Sequence, residues 1–209
     1  MINKMLRIYV TLTFLCGLLF ANSAFAATTV ESSASAKQVV EQFQNELIDV
    51  MKQGKALGFQ GRYEKLDPAI RNSHDLPKIA RIVVGREWQK LTEEQQAKLT
   101  DAFSRLSISA YAHNFKEFGG ESFDPISEEE TARGGVIVHS LLVIPDDKDV
   151  KFDYMLKKKG DTWRIINIIA NGVSDLALKR SEYTSVLMRQ GFDALIAKIT
   201  EKIDNYAKQ

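Results

Sequence analysis

Gly135-Val136-Ile137-Val138-His139-Ser140-Leu141-Leu142-Val143-Ile144-Pro145 begins the stretch on which the fold turns. Asp146-Asp147-Lys148 follows, then Asp149-Val150-Lys151-Phe152-Asp153-Tyr154-Met155-Leu156-Lys157-Lys158-Lys159, Gly160-Asp161 and Thr162-Trp163-Arg164-Ile165-Ile166-Asn167-Ile168-Ile169-Ala170. Three runs rich in β-branched and aromatic residues, joined by short polar turns, predict an antiparallel meander. In the middle run Phe152, Tyr154 and Leu156 share one face, while Lys151, Asp153 and Lys157 share the other. One side therefore meets water and the other an apolar layer. The flanking runs are apolar on both faces apart from His139, Ser140 and Asn167, which predicts cover on both sides of the sheet. Either helices supply all of that cover, or part of the inner face lines a cavity for an apolar ligand.

Helical patterns flank this block. From Lys37, Val39, Val40, Phe43, Leu47, Ile48 and Met51 recur at three- and four-residue spacing until Gly54 and Gly58. Asp67-Pro68 and Asp75-Leu76-Pro77 each read as a helix start, with Asp as cap and Pro in the first turn; His74 stands beside the second cap. Thr92-Glu93-Glu94-Gln95 is a capping-box sequence opening a long helix whose broad apolar face carries Leu99, Phe103, Leu106, Ala110, Tyr111 and Phe115, and Gly119-Gly120 stops it. Glu121 to Ser127 reads as an edge strand because Pro125 suits only an edge. Asp175 to Arg189 and Gly191 to Tyr206 read as two closing helices. The order predicts an α+β fold: a curved antiparallel four-stranded sheet wrapped by N- and C-terminal helices.

Lys4 and Arg7, the apolar run Ile8 to Phe20 and Ala24-Phe25-Ala26 have the layout of a secretory signal peptide over residues 1–26, leaving 27–209 as a single domain. Cys16 lies in that leader and is the chain's one cysteine, so the remainder has neither disulfide nor thiol chemistry. Export without disulfides points to a bacterial periplasm. Beyond the leader, 26 basic residues face 27 acidic ones, a balance that argues against nucleic acid as a partner.

Reactive constellations are missing from the sequence. There is no Gly-x-Ser-x-Gly, no phosphate-binding glycine loop and no His-Glu-x-x-His, and His74, His113 and His139 stand apart from one another. No catalytic residue, metal site or cofactor is expected. The runs Glu128-Glu129-Glu130 and Lys157-Lys158-Lys159 read as solvated charge in or beside turns.

Two passages carry a family resemblance. Lys78-Ile79-Ala80-Arg81-Ile82-Val83-Val84-Gly85-Arg86-Glu87-Trp88, feeding the Thr92-capped helix that ends near Tyr111, is one. The other is Trp163 to Ala170 with Asn171-Gly172-Val173-Ser174, followed by Arg180-Ser181-Glu182-Tyr183, Leu187 and Gly191-Phe192-Asp193-Ala194-Leu195-Ile196. Together they resemble the MlaC/toluene-tolerance family of periplasmic phospholipid-binding proteins, auxiliary components of ABC-type lipid transport. Asn167 and Asn171 depart from the acidic residues usual there.

The resemblance implies a cone-like fold with an internal lipid pocket and a monomeric periplasmic carrier that moves diacyl phospholipid between outer and inner membranes. Such a carrier maintains outer-membrane lipid asymmetry and organic solvent tolerance. Its implied partners are an inner-membrane ABC lipid transporter with a periplasmic lipid-binding subunit and an outer-membrane lipoprotein–porin complex. The candidate lipid-binding walls are Val138, Leu142, Phe152, Tyr154, Leu156, Ile166 and Ile168 from the strands, with Ile82, Val83, Phe103, Leu106, Tyr111 and Val173 beside them; Tyr111 and Tyr154 are expected to place hydroxyls at the mouth. The alternatives are a carrier for a hopanoid- or sterol-like lipid and a cone-fold, isomerase-like enzyme. The enzyme reading requires a carboxylate inside the pocket.

Overall fold

Six α-helices and one antiparallel sheet account for residues 34–208, the part of the chain described by the computed structural model. The signal-peptide reading of residues 1–26 lies outside the described residues. Helix α1 (Ala36–Lys52) starts at a reciprocal capping box between Ser35 and Gln38 and turns Val40, Phe43, Leu47 and Val50 inward. Helix α2 (Gly54–Ser73) contains one break, at Gly58, whose φ of 61° suits glycine. The chain then stays helical through Asp67-Pro68, so the helix start expected there does not exist, and Asp67 instead pairs with Arg71 one turn on.

Gly54 is dictated by contact: a Cβ there would lie 1.9 Å from the carbonyl oxygen of Lys116. The same corner is held by Arg62, which is buried and donates from Nε to the Ala112 carbonyl (2.7 Å) and from Nη1 to the Gly54 carbonyl (2.8 Å).

Asp75 caps α3 (Leu76–Val84) by accepting from the Lys78 amide, with Pro77 in the first turn as read from the sequence. His74 plays no part in that cap; it is buried at the end of α2. A 3₁₀ turn (Gly85–Lys90) leads to α4 (Glu93–Asn114), whose Thr92–Gln95 capping box forms as expected. Helices α5 (Asp175–Gln190) and α6 (Phe192–Lys208) close the chain.

The sheet runs in sequence order: β1 (Ser122–Thr131), β2 (Gly135–Val143), β3 (Val150–Lys159), β4 (Thr162–Ala170) and a two-residue β5 (Val173–Ser174), all neighbours antiparallel. The meander is as read, with a short fifth strand beyond the four expected. Glu128-Glu129-Glu130 does not form a loop; it continues β1 opposite Val138, Ile137 and Val136, and stays exposed because β1 is the sheet edge. A register shift in β4 leaves Ile166 as an extra residue between Ile165, opposite Leu156, and Asn167, opposite Met155.

Apolar side chains collect in two cores. The first joins α1 and α2 to the inner face of the sheet through Val40, Phe43, Leu47, Leu66, Ile70, Val136, Val138, Tyr154, Leu156 and Ile165. The second is helical, formed by Ala80, Val83, Val84, Leu99, Phe103, Leu106, Tyr183, Leu195 and Ile199. Helix α4 serves both, with Ile108 and Ala112 in the first and Leu99, Phe103 and Leu106 in the second. The opposite sheet face departs from expectation. Ile137, Leu141, Met155 and Ile169 there belong to neither core and are half-buried among Lys151, Asp153 and Lys157, as an antiparallel sheet allows when one face is solvated.

Candidate lipid-binding cavity

Between the two cores lies a hollow of about 390 Å³. Phe152, Tyr154 and Ile168 wall it from the sheet, Leu47 from α1, Ile79 from α3, Phe103 and Tyr111 from α4, and Phe115 from the cap position that ends α4. Ile165 and Ile166 both reach it, although strict alternation would send them to opposite faces; the bulge at Ile166 re-aims the backbone there. On α4 the strip facing the hollow also carries Ser107, Ala110 and Asn114. These side chains are short, and beside them Ile79 of α3 packs against both cores.

Seven of the thirteen sequence candidates line this cavity: Phe103, Tyr111, Phe152, Tyr154, Ile166, Ile168 and Val173. The other six do not. Val138 and Leu156 are packed in the sheet core under α1, and Leu142 is buried on β2, one strand further from the hollow. Val83 and Leu106 fill the helical core, and Ile82, half-buried on α3, belongs to neither core. Periodicity marked these residues as buried without indicating which neighbour they meet. Ile79, one turn before Val83, is the α3 residue that reaches the cavity.

The deep end is polar in composition but neutral in charge. His74 is enclosed, and burial holds its pKa down at about 4, so it is uncharged at neutral pH. Its Nδ1 lies 2.9 Å from Ser73 Oγ and its Nε2 lies 3.5 Å from the Tyr111 hydroxyl, while Phe43 packs edge-on against both rings. Burial raises the pKa of Tyr111 and of Tyr154, the latter opposed by a hydrogen bond with Gln44. Gln44 Nε2 also donates to Ser140 Oγ (3.0 Å), which donates to the Asp124 carbonyl (3.2 Å). Tyr154 is 2% exposed and Tyr111 points at His74, so both hydroxyls sit at the inner end rather than at the mouth.

The mouth is built by the β4–β5–α5 corner, where Asn171 (φ 48°) and Gly172 (φ 83°) turn the chain back and Ser174 caps α5 by accepting from the Ala177 amide. This corner puts exposed Val173 at the rim, with Leu176, Asp175 and Lys179 of α5, Asn114 of α4 and Tyr206 of α6. Lys179 pairs with Asp175, and these two are the charged side chains of the lining at neutral pH. Sequence reading missed both. Their four-residue spacing on one helix was a visible signal of pairing, though not of its place. Asp153 lies on the other sheet face, its Oδ1 2.6 Å from His139 Nδ1 and 3.7 Å from Lys151 Nζ. It is absent from the cavity lining.

A hollow of this size falls within the range of small-molecule sites, with apolar walls and charge confined to the rim. The family model described as MlaC protein matches residues 41–201, and the chain belongs to that family. A curated relative, the toluene tolerance protein ttg2D of Pseudomonas putida, is 24% identical over 198 residues, covering 91% of this chain and 88% of its own. A solved structure of the phospholipid-binding protein from Ralstonia solanacearum, in complex with a phospholipid, shares the fold. Its TM-score is 0.74 at 22% identity, over 83% of this chain and 99% of that one.

Proposed function

We propose that this protein is a periplasmic phospholipid carrier that holds acyl tails in the seam between its two cores and exchanges lipid between outer and inner membranes without chemical change. The carrying observation is the cavity: apolar side walls, an uncharged polar inner end, and ionised groups only at the rim. Membership of the MlaC family and the shared fold of a protein solved with a phospholipid support the reading. Transferring a chain of about fifteen methylenes into water costs on the order of 12 kcal/mol, and a dry slot removes most of that cost.

A cavity of about 150 Å³ accepts one benzene, so by proportion this one takes on the order of fifteen carbons, about one chain. Two chains of a diacyl lipid require the seam to widen, which the short residues Ser107, Ala110 and Asn114 permit because they do not lock the cores together. The partners that fit this role are an inner-membrane ABC lipid transporter and an outer-membrane lipoprotein–porin complex. Asp175 is the one carboxylate of the lining and its side chain is 67% exposed, which disfavours an isomerase relying on a shielded carboxyl group.

Native mass spectrometry of protein purified without detergent tests the proposal. About one diacyl phospholipid per chain is expected, together with uptake from vesicles. A protein that carries no lipid and takes none up contradicts it, and a bound polycyclic lipid in its place redirects it.

A further inference from the structure

The ion pair at the mouth differs from the other pairs at four-residue spacing among the described residues. In Lys37–Glu41, Arg71–Asp67 and Arg105–Asp101 both side chains stand well out in solvent, with exposures of 49/40%, 45/34% and 46/61%. In Lys179–Asp175 the lysine is 15% exposed and the aspartate 67%. The lysine stem is laid against the cavity wall with its ammonium at the rim, while its counter-ion faces water. His74 being neutral, Lys179 is the cation that a ligand with its tail in the cavity meets on the way out.

We propose that Lys179 and Asp175 read the lipid headgroup as a dipole, phosphate on Lys179 and headgroup ammonium on Asp175, so that the mouth selects a zwitterionic phosphoethanolamine lipid over an anionic phosphoglycerol one. This rests on the carrier reading above. A zwitterion replaces one ion pair by two and leaves the rim neutral. A phosphoglycerol headgroup brings a single negative charge, takes Lys179, and leaves the Asp175 carboxylate unpaired beside a phosphate. A primary ammonium also offers three N–H donors to the carboxylate.

The test uses delipidated protein and vesicles holding equal amounts of phosphatidylethanolamine and phosphatidylglycerol with identical chains, with both bound lipids counted by mass spectrometry. Wild-type protein is expected to enrich phosphatidylethanolamine about threefold to fivefold, the scale of one partly exposed ion pair. Asp175→Asn should bring the ratio back toward that of the vesicles, and Lys179→Met should lower retention of both lipids. Glycerophosphoethanolamine, a headgroup without tails, should not compete. Competition by it would place recognition on a free phosphodiester and overturn the proposal. Full loading without headgroup preference, or a preference that survives Asp175→Asn, overturns this inference and leaves the carrier reading standing. Failure of wild-type protein to load either lipid overturns both.

Discussion

The sheet core and the helical core are made of the same kinds of residue and exclude water equally well. Phe43, Leu47 and Tyr154 in one and Phe103, Leu106 and Leu195 in the other are all at most 2% exposed. The strip between them is different. Along α4 it carries Ser107, Ala110 and Asn114 where larger apolar residues would have joined the cores, and the sheet side is bulged at Ile166. The difference separates two tasks: the cores supply stability, and the seam supplies room.

Changes inside either core should therefore cost stability first. Phe43→Ala removes a ring 2% exposed that packs edge-on against His74 and Tyr111, and a loss of about 3–5 kcal/mol is expected in urea unfolding. Phe103→Ala in the helical core should cost a similar amount, and a loss under about 1 kcal/mol in either would show that core to be looser than described.

Acid should strain the sheet core next. His74 is neutral when folded, with a pKa of about 4, whereas the unfolded chain protonates it near 6.5. Its contribution to stability is full above about pH 6.5 and falls as the pH drops toward 4, by on the order of 3 kcal/mol. Unfolding at pH 7.5 and 4.5 should show this loss, and His74→Gln should flatten it. An equal loss in His74→Gln would assign the acid sensitivity elsewhere.

Arg62→Met strips two carbonyls of their donor where α2 meets α4. It should cost about 1–3 kcal/mol, read as a lower unfolding midpoint. Ile137→Thr, on the sheet face outside both cores, should stay within about 1 kcal/mol by the same measurement.

Much of this layout was legible beforehand because its causes are local. The meander follows from β-branched runs and short turns, and α4 from its Thr92–Gln95 box. Phe152 and Tyr154 were placed toward the cavity because their strand has a charged opposite face that fixes the pleat. Val138 and Leu142 fall on the inner face of β2 yet miss the cavity, because the position of α1 over that strand is a tertiary fact. The helix through Pro68 was hidden because α2 breaks at Gly58 instead. On α4 the apolar period merged two surfaces, one in the helical core and one on the cavity. The strip of short residues that separates them was present in the sequence and carried the missing information.

The most direct measurement is lipid occupancy of Ala110→Phe, set beside its unfolding free energy. Ala110 lies on the seam, so a ring there occupies the hollow without disturbing either core. The account predicts a protein within about 1 kcal/mol of wild type that holds little or no phospholipid after purification without detergent. A stable variant still carrying a full complement of lipid would contradict it, because the tails would then have to lie somewhere other than between the two cores.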